Sequence, residues 1–76
     1  MDESFRFKYG QTVRIGASAP PPLQPGTDVD IVGMTRLSHA REILNVICPA
    51  GTDIYLIEFA DGNSLEVPES FIEPSK

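Results

Sequence analysis

The sequence predicts an all-β fold, a small, closed or nearly closed barrel. Three observations lead there. Short apolar runs alternate with polar residues at period two, the spacing of a half-buried strand. Gly, Pro and Asp-Gly breaks separate these runs. The chain has 76 residues, too few to protect long open sheet edges by other means, and closure removes edges.

The strands follow in order. Gln11–Ile15 places Val13 and Ile15 on one face and Thr12 and Arg14 on the other. Ala17–Gly26 is a loop in which Pro20-Pro21-Pro22 favours an extended polyproline path over sheet or helix. Pro22-Leu23-Gln24-Pro25 also fits the PxxP ligand pattern, but four residues match often by chance, and a stiffened loop accounts for them. Thr27–Leu37 is the second strand, with Val29 and Ile31 inward and Asp28, Asp30 and Val32 outward. Gly33 inside it predicts a bend or bulge, beyond which Met34 and Leu37 are expected to re-enter the core.

Ser38–Thr52 admits two readings. Ser38 suits a helix N-cap, and His39–Leu44 would then form one short helix of one to two turns. Alternatively, an irregular excursion leads into a short strand at Leu44–Ile47. Asp53–Phe59 is the clearest strand, with Tyr55, Ile57 and Phe59 on one face and Leu56 and Glu58 on the other. Asp61-Gly62 marks the turn of a hairpin. The return strand, Ser64–Val67, ends at Pro68, which lacks a donor. Pro68–Phe71 predicts a single 3-10 turn before a short last strand at Phe71-Ile72. Residues 1–10 are an aromatic lead-in carrying Phe5, Phe7 and Tyr9, and residues 73–76 are a tail. Five short strands, a long first loop and a 3-10 turn before the last strand describe one five-stranded SH3-like barrel domain.

Composition narrows the function classes. Net charge is −5. The first 41 residues carry five basic and four acidic side chains, the remainder one basic and seven acidic. The acidic half has no clustered Lys and Arg to neutralise phosphates, which argues against nucleic acid. No apolar run approaches the ~20 residues of a membrane span. The opening Met1-Asp2-Glu3-Ser4 lacks a signal-peptide pattern, and the lone Cys48 has no internal disulfide partner, so a cytoplasmic setting is expected.

No motif for chemistry emerges. Metal binding needs several Cys, His or carboxylate ligands, whereas the chain has one Cys and one His. Asp28 and Asp30 share a strand face, the ordinary place for solvated acids. Cys48, between Ile47 and Pro49, reads as a small core residue. The six glycines are dispersed and fit no nucleotide fingerprint. No enzymatic activity, cofactor or metal is expected. What remains is an acidic surface. Glu58, Asp61, Glu66 and Glu69, with Asp28 and Asp30 secondary, are the candidate acidic hairpin face for a basic protein partner.

Phe7–Ile15, the Val32-Gly33 step, Tyr55–Gly62 and Val67–Pro74 together resemble a bacterial SH3-like barrel pattern over about two-thirds of the chain. The pattern is similar to small immunity proteins of polymorphic toxin systems. That resemblance implies a stand-alone inhibitor masking a protein partner. Ala17–Pro25 and Ser38–Thr52 depart from the compact pattern and are candidates for partner-specific parts. A second class of function is a structural accessory that docks on a larger enzyme or assembly through Phe5, Phe7 and Tyr9.

Overall fold

The computed structural model describes residues 5–75; lead-in residues 1–4 and the tail residue Lys76 lie outside them. Seven strands form: β1 (Thr12–Ile15), β2 (Asp28–Arg36), β3 (Arg41–Ile43), β4 (Val46–Cys48), β5 (Asp53–Glu58), β6 (Ser64–Pro68) and β7 (Ile72–Pro74). Five make one antiparallel sheet in the order β6-β5-β2-β1-β7, and β3 and β4 pair separately as a hairpin. The 3-10 turn before the last strand is present at Glu69–Phe71. The last strand takes in Glu73 and Pro74, which the sequence assigned to a tail. The predicted closure is not met, since β6 and β7 stand at opposite edges of the hydrogen-bonded order.

Alternation decides the core. Val13, Ile15, Val29, Ile31, Tyr55, Ile57 and Val67 all face one side and are fully or almost fully buried. Ala19 and Leu23 join this cluster from the proline loop, and Phe7 joins it from the lead-in. The loop itself contains a 3-10 turn at Pro21–Leu23, where the sequence predicted a polyproline path. That turn lets the apolar side chain of Leu23 reach the core. Phe7 packs edge-on against Tyr55 with ring centroids 5.5 Å apart, and Phe5 does the same at 6.1 Å. The backbone N–H of Phe7 donates to the Tyr55 hydroxyl at 3.1 Å. Burial raises the Tyr55 hydroxyl pKa above its ordinary value, a shift that outweighs the opposing hydrogen bond from Phe7.

The bulge falls where Gly33 predicted it. Ile31 pairs with Ile57, but Gly33 already pairs with Leu56, so Val32 is an extra residue in β2. A Cβ on Gly33 would stand 3.4 Å from the Leu56 Cβ, an ordinary van der Waals contact, so space alone does not require glycine here. The bulge also switches parity. Before it the odd residues Val29 and Ile31 point inward; after it the even residue Met34 packs against the main cluster. Odd-numbered Leu37 is thereby sent to the opposite face.

There it meets Ile54, Ile43 and Cys48 in a second, smaller cluster. The β3–β4 hairpin supplies two of these four. Neither sequence reading of residues 38–52 anticipated a hairpin, although the strand expected at Leu44–Ile47 overlaps β4 at Val46 and Ile47. The one to two helical turns capped by Ser38 do not form; Ser38 instead hydrogen-bonds its neighbour His39 at 3.0 Å. The two-residue turn is built by Leu44 and Asn45, both at positive φ (54° and 66°), the combination of a type I′ hairpin. Leucine seldom adopts this region. Its side chain packs against both clusters, which offsets the backbone cost.

Candidate functional site

The acidic residues predicted from sequence fall into two groups. Four sit against basic or hydroxyl partners. Asp28 faces Arg14 at 3.3 Å. Asp30 accepts from the Thr12 hydroxyl at 2.9 Å. Glu66 pairs with Arg41 of the hairpin, and Glu69 lies 3.6 Å from Arg6. Such exposed ion pairs contribute about 0–1 kcal/mol each. They lower the local negative charge more than they stabilise the fold.

The other two differ. Asp61 belongs to the β5–β6 turn and binds Asn63 twice, accepting from its backbone N–H and its side-chain amide, both at 3.0 Å. This Asx arrangement fixes the turn around Gly62, whose φ of 91° suits glycine alone. The Glu58 side chain has no hydrogen-bond or ion-pair partner among the described residues. Directly across the β2–β5 ladder from it stands Asp30. Like charges facing each other across strands are destabilising, and among the described residues no Lys or Arg is paired with either. Glu58 and Glu66 are not direct partners: Glu58 opposes Ser64, and Glu66 opposes Leu56. The structure therefore brings together Asp30 and Glu58, with Asp61 at the turn beyond. Asp28, Glu66 and Glu69 are held by arginines at other places on the sheet.

Asp61, but neither Asp30 nor Glu58, also borders a groove that sequence reasoning did not find. It encloses about 460 Å³ between the proline loop and the β5–β6 turn, with Pro22, Gln24, Phe59, Asp61 and Leu65 among its walls. The signal available was the incomplete alternation at Phe59 and Leu65. Both continue the inward face beyond the sheet's packed centre and stay half-buried.

The aromatics separate. Phe7 is core and Phe5 half-buried, its ring under the Arg36 guanidinium at 4.6 Å. Tyr9, 73% exposed, is the one that points outward. The thiol of Cys48 is buried and contacts the Val46 carbonyl at 3.7 Å. The His39 ring bonds Ser38 on the surface, away from that thiol's buried setting. Among the described residues no three His, Cys, Asp or Glu side chains are grouped so that they could hold a metal. Nor does any helix there have the length and apolar character to cross a membrane.

No protein-family model, curated protein or solved structure matches the chain.

Proposed function

We propose that this chain is a non-enzymatic protein-binding module built on an SH3-like barrel, taking a basic protein partner through the acidic face of the β5–β6 hairpin. The support for the barrel is the strand order, with a long first loop and a 3-10 turn ahead of the last strand. One observation carries the binding reading. Asp30 and Glu58 oppose each other across two strands of the main sheet, and among the described residues no cation stands against either. A partner's Lys or Arg between them relieves that repulsion and gains from both charges. Such complementarity acts mainly on encounter rate and partner choice. An immunity-type role, masking a basic surface of a toxin-like protein, is the form of this reading that the sequence pattern suggests.

The test is capture of partners from the native host by wild type and by an Asp30→Lys/Glu58→Lys variant. Both positions are exposed, so the variant is expected to fold, and its thermal melt checks this. Loss of salt-sensitive capture is the expected result. Undiminished capture removes the acidic face from the argument.

A further inference from the structure

We infer that the groove between the proline loop and the β5–β6 turn seats an extended segment of that basic partner, which inserts an apolar side chain beside a Lys or Arg. This rests on the protein-binding reading and narrows it to a place and a ligand chemistry.

The first support is the lining. Phe59 and Leu65 are half-buried apolar side chains at the groove, and Pro22 faces them from the loop. They offer a surface that gains from excluding water. The Asp61 carboxylate stands at the same groove, and no Lys or Arg among the described residues lines it. Asp61 is thus the one charged side chain among the described residues at this apolar floor, and its sign favours a cationic over an anionic ligand.

The second support is that both walls are already fixed. On the loop side, Leu23 N–H donates to Pro20 O at 2.9 Å, Gln24 N–H to Pro21 O at 2.9 Å, and Gly26 N–H to Ile15 O at 2.8 Å. Leu23 and Ala19 anchor that loop in the core. On the turn side, Phe59 N–H donates to Asn63 O at 2.8 Å and Gly62 N–H to Phe59 O at 2.9 Å, beside the Asp61–Asn63 bonds. A groove whose walls need no ordering avoids much of the entropic cost of binding. Its volume of about 460 Å³ falls within the range of roughly 300–1,000 Å³ found for ligand sites.

The experiment uses the whole chain, isotope-labelled, titrated with synthetic peptides and followed by amide chemical shifts. The probes are a nonapeptide with a central leucine flanked by lysines, the same peptide with serine for leucine, and the same with glutamates for lysines. The lysine–leucine peptide is expected to shift the amides of Gln24, Ala60, Asp61 and Leu65. Serine for leucine is expected to weaken it about tenfold or more, the transfer value of one buried leucine. Glutamates are expected to abolish binding. An Ala60→Arg variant, at an exposed position lining the groove, should lose the peptide while keeping its melting temperature. Four outcomes overturn the inference: no shifts at millimolar peptide, equal binding of the serine peptide, binding unchanged by Ala60→Arg, or concentration-dependent shifts from a second copy of the chain filling the groove. If lysine peptides shift only the amides around Asp30 and Glu58, the acidic face stands and the groove falls. If Asp30→Lys/Glu58→Lys leaves native partner capture intact, the underlying reading falls whatever the peptides do.

Discussion

The two apolar clusters of this chain lie on opposite faces of β5 and are built differently. The main one gathers 12 buried residues from five strands, the lead-in, the proline loop and the last 3-10 turn. The outer one has four, two of them on a hairpin whose strands are three residues long. Apolar stabilisation scales with area removed from water, so the inner cluster holds the fold together while the outer one fastens a single appendage. The hairpin's remaining attachment to β6 is the Arg41–Glu66 pair, on exposed side chains. Its outer surface leaves Ile47 69% exposed. A segment secured this lightly is expected to open locally, well below the free energy of global unfolding.

The most disruptive way to probe this contrast is Ile57→Ala in the inner cluster. Loss of a fully buried isoleucine costs about 3–4 kcal/mol, a large share of the ~5–15 kcal/mol available to a small domain. Denaturant unfolding and hydrogen exchange should both report it, with protection lost across β1, β2 and β5 together. Ile43→Ala in the outer cluster is expected to cost about 2 kcal/mol. Here exchange should accelerate at residues 41–48 while β1 and β2 keep most of their protection. Equal loss everywhere would mean that the two clusters unfold as one and would erase the distinction drawn between them.

Tyr55→Phe sharpens the picture of how the lead-in is attached. It leaves the buried N–H of Phe7 without its acceptor, at a cost of about 1–2 kcal/mol. It also carries a pH signature. The folded-state pKa of Tyr55 lies above the unfolded value of about 10, so the native state holds its proton where the unfolded state has lost it. Stability is thus unaffected by this group below pH 10 and falls as pH rises beyond it. Tyr55→Phe should flatten that part of the stability–pH curve. In a Tyr9→Phe background, tyrosinate absorbance reads Tyr55 alone and should show its ionisation displaced upward. Smallest of all, Arg41→Ala should change global stability by less than about 1 kcal/mol and loosen only the hairpin. That effect should shrink with added salt.

Legibility followed the same division. Asp53–Phe59 and its return strand could be read because period-two alternation, a Gly-bearing turn and a terminating proline all agreed. Gly33 gave away the bulge because a glycine inside a β-branched run has few other uses. The hairpin was hidden for local reasons. His39–Leu44 contains good helix formers after a plausible cap, three-residue strands show no periodicity, and Leu44-Asn45 lacks the glycine that advertises a type I′ turn. What holds Leu44 at positive φ is packing against residues remote in sequence, and no local pattern records that. The acidic face was half legible. The residues could be named, but whether an arginine would sit on each depended on the fold. Arg41 reaches Glu66 only because the hairpin lies back over the sheet, whereas Glu58 acquires no such neighbour.

Val32, the extra residue in β2, works as a frameshift written in backbone. Removing it would leave the composition of the strand almost unchanged, yet every side chain downstream would exchange faces with its neighbour. Leu37 would turn toward the inner core and Met34 away from it, and the ground on which the hairpin rests would lose one of its four buried supports. Whether this domain has a second core at all is thus decided by one residue that belongs to neither.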